Sequence, residues 1–217
     1  MTNSISIVGL GHMARALAGR ALAGGNTVEL VGRDQAKAKE LAATLGGATV
    51  GTYGTAPAGD LVILAAPYAG AVAVVREYGD ALRGRTIVDI TNPVAPDLRG
   101  FVVPRDSSGA QEIAGAAPGD AHVVKAFNTV FSHVLASETA EGRPLDLDRP
   151  LDVFIAGDDA QAKARVSEFV ESLGLRPWDT GELFMARALE NVGLMELGLM
   201  KNSVKHVNFS LGITLLG

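Results

Sequence analysis

Apolar and polar positions along the chain follow two alternating rhythms. Short runs rich in Val, Ile and Leu read as strands at Ser4–Val8, Thr27–Val31, Leu61–Ala65, Thr86–Ile90, Val123–Ala126, Asp152–Ala156 and Arg176–Asp179. Between them lie Ala-rich stretches with helical spacing at His12–Ala23, Gln35–Leu45, Ala69–Leu82 and Ala160–Leu173. The order is therefore βαβα, and parallel strands need crossovers of this kind. A run such as Leu61-Val62-Ile63-Leu64 is apolar at every position, as a strand covered on both faces must be. The pattern predicts an α/β chain with an open, doubly wound, mostly parallel sheet.

Three stretches break the rhythm. The Pro-containing loop Pro93–Gly109 ends in Ser108-Gly109-Ala110-Gln111, a spacing that caps a helix running to about Ala116. Glu138–Pro150 reads as a polar insertion at the surface. After Gly181, Leu183, Phe184, Leu189, Val192, Leu194, Met195, Leu197 and Leu199 lie nearly all round one long helix, which is expected to bury itself against the domain or a second subunit. This divides the chain into a domain over residues 1–180 and a C-terminal helical segment over 181–217.

Composition narrows the function. With 47% apolar and only 5% aromatic residues, the core must be built mainly of Ala, Val and Leu, which suits close helix-on-sheet packing. The absence of Cys excludes disulfides, thiolate metal sites and thiol nucleophiles, and fits a cytoplasmic location. The polar start Met-Thr-Asn-Ser is unlike a signal peptide, and the longest apolar stretch, Leu61–Val75, is interrupted by Pro67 and too short to span a bilayer. No membrane partner is expected. A net charge of −5 argues against nucleic acid, which demands clustered Lys and Arg. No His-Glu-x-x-His or Gly-x-Ser-x-Gly pattern occurs, so no metal site is expected.

The candidate chemistry begins at the first strand-to-helix turn, Gly9-Leu10-Gly11-His12-Met13-Ala14. Gly9 permits the tight turn, Gly11 lets the backbone approach a pyrophosphate, and the small Ala14 lets the helix pack close to the strand. Free amides from Gly11 to Ala14 then face the phosphates at the positive end of the helix. The second strand ends in Val31-Gly32-Arg33-Asp34, where the adenine ribose lies in this fold. Arg33, followed by Lys37 one turn later, suits the 2′-phosphate of NADP(H). Asp34 either caps the next helix or accepts from a ribose hydroxyl, the latter favouring NAD.

At the other end of the sheet the strand ends carry Ala66, Pro67 and Tyr68, then Asn92 and Pro93, then Asn128 and Thr129. We expect Ala66, Pro67, Asn92 and Pro93 to hold the cofactor, and Tyr68, Asn128 and Thr129 to line the substrate pocket; all are also ordinary strand-end residues. No catalytic residue is assigned. Hydride transfer needs positioning more than acid or base, and Tyr68 and Lys125 are the available proton donors should one be required. A non-catalytic NADP(H) sensor would suit the same scarcity of titratable groups.

Ile5 to Leu17, Val31-Gly32-Arg33, Ala66-Pro67, Thr91-Asn92-Pro93, Lys125-Ala126-Phe127-Asn128-Thr129, Ala156-Gly157-Asp158-Asp159 and Arg187-Ala188-Leu189-Glu190 occur in that order. Together they resemble the NADP oxidoreductases that use the deazaflavin coenzyme F420, with their bacterial dinucleotide-binding relatives, and are also similar to the reductase domain of the six-transmembrane ferric reductases. The resemblance implies a Rossmann-type fold with a C-terminal helical extension, and a homodimer joined through the C-terminal helices. By it, Leu10 to Met13, Gly32, Arg33 and Lys37 would hold NADP, with two stacked rings between Pro67, Pro93 and Asn128. F420, a flavin or another small molecule would accept the hydride. Where the deazaflavin enzymes carry a His, this chain has Asn128, and its tail from Lys201 to Gly217 runs past their expected end, to pack as a dimer helix or cover a pocket. The turn also resembles the start of pyrroline-5-carboxylate reductase, which keeps an imine reductase as an alternative.

Overall fold

The computed structural model describes residues 3–137 and 149–216. The predicted alternation is present. Strands β1 (Ser4–Val8), β2 (Thr27–Val31), β3 (Thr49–Val50), β4 (Leu61–Leu64), β5 (Thr86–Asp89), β6 (His122–Lys125), β7 (Asp152–Gly157) and β8 (Arg176–Asp179) form one sheet in the order β3-β2-β1-β4-β5-β6-β7-β8. Neighbours pair in parallel except β6 and β7, where Val124 faces Gly157 and Lys125 faces Ala156 in antiparallel register. The order reverses between β1 and β4, the switch point at which an open α/β sheet forms a crevice. The two-residue β3 is too short to leave a periodic signal.

Helices α1 (His12–Ala23), α2 (Gln35–Leu45), α3 (Tyr68–Tyr78), α4 (Gly109–Ala116), the single turn α5 (Ser132–Leu135), α6 (Ala160–Ser172) and α7 (Ala186–Leu199) cover the sheet. Alternate strand residues feed two cores. Ile5, Ile7, Leu61 and Ile63 meet Ala14, Leu17, Ala18 and Ala21 of α1 and Val166 and Phe169 of α6 on one face. Val8, Val62, Leu64 and Ile87 meet Val74 and Val75 of α3 and Ala110 and Ile113 of α4 on the other. The alanines of α1 let it sit close on β1, which brings its N-terminus to the crevice. Three helices take side-chain caps: Asp34, Ser108 and Asp159 accept from the amides of Lys37, Gln111 and Ala162. Asp34 thus fills the capping role open to it.

The C-terminal region departs from expectation. A 3₁₀ turn (Leu183–Met185) precedes α7, a π turn (Met200–Val204) follows it, and Lys205 stops the helix in the left-handed conformation at φ 65°. From His206 to Leu216 the chain has no helix. It folds back on its own subunit: the Ile213 amide donates to Asp152 Oδ2 (2.6 Å), the Ile213 carbonyl accepts from Arg176 Nη2 (2.8 Å), and Phe209 meets Phe131 edge to face. The expected tail helix is absent, and these contacts hold the segment against its own subunit instead. Of the expected insertion Glu138–Pro150, residues 138–148 lie outside the described residues.

Phe169 is fully buried and packs edge to face on Phe127 with ring centroids 6.0 Å apart. Phe169→Ala is expected to lower stability by about 3–5 kcal/mol through the cavity it leaves, as read by urea denaturation.

Candidate functional site

The site is built where α1 starts. Gly9 has φ 135°, and a Cβ there would stand 2.1 Å from the Ala65 carbonyl oxygen, so β1 and β4 can part only around a glycine. A Cβ on Gly32 would strike the Leu10 side chain, which closes the wall behind the turn. Gly11 differs: a Cβ there meets nothing within 4 Å, because it faces open space. Gly11 is also the N-cap of α1, with no side chain to satisfy the helix amides. The first-turn N–H groups and the positive end of the helix dipole are left facing a cleft.

Three cavities run end to end across this point. The first, of about 260 Å³, lies between α1 and α2, where Leu10, His12, Arg15, Lys37, Glu40 and Thr44 line it. The second, of about 530 Å³, shares Gly11 and His12 with the first and continues past Met13, Ala66, Pro67 and Tyr68 to Asn92 and Pro93. The third, of about 220 Å³, shares Met13, Ile90 and Asn92 with the second and is closed by Phe127, Asn128 and Glu196.

Residues 4–93 match the model of the family described as NADP oxidoreductase, coenzyme F420-dependent. The metalloreductase STEAP3 of Rattus norvegicus is 30% identical over 190 residues, which take in 88% of this chain and 36% of that protein, so the chain spans about a third of that relative's length. The F420-dependent NADP reductase of Methanocaldococcus jannaschii is 28% identical over 162 residues, 71% of this chain and 67% of that one. The crystal structure of a candidate F420-dependent NADP reductase from Arthrobacter sp. FB24 superposes with a TM-score of 0.82 at 25% identity, covering 98% of this chain and all of the other. The chain is similar to the F420-dependent NADP oxidoreductases.

Against these relatives, the placement of the expected residues is uneven. Leu10, Gly11, His12, Met13, Lys37, Ala66, Pro67, Tyr68, Asn92 and Pro93 all line the first two cavities. Asn128 lines the third. Ala14 is fully buried and lets α1 approach the sheet, while Gly9 and Gly32 shape the wall from behind. Thr129, expected in the substrate pocket, is buried to 2% exposure and lines none of the three cavities. Arg33 is parted from Lys37: its guanidinium lies over the Tyr53 ring, with Nη2 3.4 Å from Glu77 Oε2, because α3 supplies a carboxylate there. This pair is mostly exposed, so it costs little to break.

Lys125 is not available as a proton donor. It is fully buried, and its Nζ donates to Asp89 Oδ2 (2.8 Å), Glu190 Oε1 (3.1 Å) and the Thr91 carbonyl. Its three protons are matched by three acceptors. Burial raises the Glu190 carboxyl even though Lys125 pulls it down. Tyr68 stays protonated, its hydroxyl pushed up by partial burial and by the nearby Glu112, Glu190 and Asp89.

At the end of β6, Phe127 adopts φ 58°, a left-handed conformation unusual for a side chain of this size. Its wedged ring holds the turn, which swings Asn128 beside Asn92: Asn128 Nδ2 donates to Asn92 Oδ1 (2.9 Å), and Asn92 Nδ2 donates to the Asn128 carbonyl (2.8 Å). Arg15 and Glu196 are among the lining residues that escaped the sequence reading. Arg15 sits one turn after Gly11, where its exposed position looks ordinary. Glu196 carried a signal: it falls on the same helical face as Ala186, Leu189 and Gly193, an acid where an apolar residue belongs.

Lys125→Met would leave Asp89 and Glu190 buried without a counter-charge. It is expected to cost about 3–5 kcal/mol at pH 7. The Glu190 carboxyl, already raised by burial, would lose the downward pull of Lys125 and rise further, so the lost stability should return in part as the pH falls from 7 to 5. Denaturant titrations of wild type and variant at the two pH values check this.

Proposed function

We propose that the chain is an NADP(H)-dependent oxidoreductase that exchanges a hydride with a deazaflavin such as F420, a flavin or another small acceptor, working in the cytoplasm. The observation that carries this reading is the continuous cleft over the uncapped N-terminus of α1, lined by Arg15, Lys37 and Glu40 at one end and walled by prolines at the other. The residues present fit the dinucleotide. The free amides of α1 suit its pyrophosphate, and the open side of Gly11 leaves room for it. Lys37 and Arg15, with Arg33 swung from Glu77, would bind the 2′-phosphate. Met13, Pro67 and Pro93 would restrict the nicotinamide ring, and Asn92, braced by Asn128, would present its backbone and amide to it. Bound there, NADPH supplies the hydride.

The chain's own contribution is orientation and the exclusion of water. The strand ends approach the ring with apolar side chains and backbone, so the reacting faces are held together by packing. The family resemblance supports a homodimer joined through the C-terminal helix. Phe184, just before α7, and Met195 upon it are 60% and 50% exposed, and a partner's helix would cover them.

The glycines give the test. Gly11→Ala should fold as the wild type does, because its Cβ has space, yet weaken NADPH by tenfold or more (~1.4 kcal/mol) by intruding on the phosphates. Arg33→Ala should narrow the preference for NADPH over NADH. Fluorescence titration measures both, and equal affinity of the wild type for the two cofactors would sink the assignment to NADP(H). Oxidation of NADPH with F420, FMN or FAD identifies the acceptor; no turnover with any would favour a sensor.

A further inference from the structure

Two residues that line the third cavity each carry a buried polar atom with no hydrogen-bond partner, Asn128 Oδ1 and Glu196 Oε1. Buried polar atoms are nearly always satisfied, so two orphans on one cavity call for a ligand. The amide of Asn128 can be placed only one way round. Its Nδ2 donates to two acceptors, Asn92 Oδ1 and the Leu189 carbonyl, each at 2.9 Å, so Oδ1 is the atom left over and can only accept.

Glu196 is the complementary group. It is 3% exposed, and burial pushes its carboxyl up to about 8, so at neutral pH it is an uncharged acid that can donate. The cavity walls come from α1, the segments after β5 and β6, and α7, and none of their other lining residues is ionisable. On α7, Glu190 is held by Lys125 and Arg187 lies over the Phe101 ring, so neither offsets the burial of Glu196. At about 220 Å³ the cavity is smaller than the roughly 300–1,000 Å³ of sites for drug-sized ligands. It admits a single ring, or one end of a larger one, between Phe127 and Phe131.

We propose that this cavity receives the ring edge of the hydride acceptor, an edge with an N–H beside a C=O, as in lactams, imides and ureides. The N–H donates to Asn128 Oδ1, and the C=O accepts from the Glu196 carboxyl. The placement rests on reading the adjoining cleft as the nicotinamide site: Met13, Ile90 and Asn92 wall both spaces, so a ring stacked in the cleft reaches the cavity without leaving it. Asn128 thereby selects the substrate class, because an acceptor lacking the N–H leaves its Oδ1 unpaired, and Glu196 anchors the carbonyl beside it.

The test uses 2-piperidone and N-methyl-2-piperidone as probes, bound to the full chain with and without saturating NADP+ and followed by ligand-observed NMR. The wild type should bind 2-piperidone roughly tenfold more tightly than the N-methyl compound, and the affinity should fall as the pH rises through about 8, where Glu196 ionises and repels the carbonyl. Glu196→Gln keeps a donor and should bind 2-piperidone at pH 7 within a few-fold of wild type, without the fall above pH 8. Glu196→Leu should lose the binding while its circular dichroism stays that of the wild type. Equal affinity for the two lactams, no binding of 2-piperidone to the wild type, or a pH dependence that survives in Glu196→Gln would each overturn the proposal. If NADP+ alone fails to bind while the lactam pattern holds, the cofactor reading fails and the cavity assignment stands.

Discussion

A single buried ammonium sets the geometry on which the site depends. Lys125, at the end of β6, is fully enclosed and joins Asp89 of β5, the Thr91 carbonyl beyond it and Glu190 of α7. An unpaired charge at this depth would be prohibitively costly, so each member is held by the others. The consequence is mechanical. The C-terminal helix is pinned across the strand ends by Glu190, and its next two turns bring Gly193 and Glu196 over the end of the cleft. Without the pin, the third cavity would have no roof.

Around that pin the glycine turn divides its labour. Gly9 is needed by the fold, since the Ala65 carbonyl leaves no room for a side chain, while the space beside Gly11 is free and lies where the uncapped helix points. A structural glycine and a functional one therefore stand two residues apart. The first-turn amides of α1 form the positive centre, Lys37 and Arg15 extend it to one side, and the apolar strand ends extend it to the other. This gradient from charged to apolar along one groove matches the proposed dinucleotide, phosphorylated at one end and aromatic at the other.

The family model stops part-way along the groove. The match to the F420-dependent NADP oxidoreductase model covers residues 4–93, which hold the turn, the crevice and the first two strand ends. Met13, Ile90 and Asn92 of that range also wall the third cavity, but its other lining residues lie beyond it, from Phe127 to Ser132 and on α7. The family model thus covers the proposed cofactor half, while Asn128 and Glu196 lie beyond it, in a stretch covered by the superposed Arthrobacter structure. The tail follows the same logic: its extended run is held by Asp152, Arg176 and Phe131 of its own subunit, not by a helical repeat.

What the sequence by itself determined was everything governed by local period and by turn chemistry. Strand and helix positions, the Asp34 and Ser108 caps and the phosphate turn all follow from residues within a few positions of each other. The residues at the strand ends, Pro67, Asn92, Pro93 and Asn128, were legible because a doubly wound sheet always gathers its carboxyl ends into one crevice. The tertiary structure decided what depends on partners distant in sequence. Lys125 resembled a free cation until Glu190, 65 residues away, was seen to bind it. Arg33 turned to a carboxylate 44 residues on, Thr129 sank into the interior, and the tail that read as helix was held in a non-helical path by contacts to Asp152 and Arg176. Glu196 shows the reason most directly: an acid on an apolar helical face is visible in the sequence, but only packing reveals whether a cation, water or an empty cavity lies opposite.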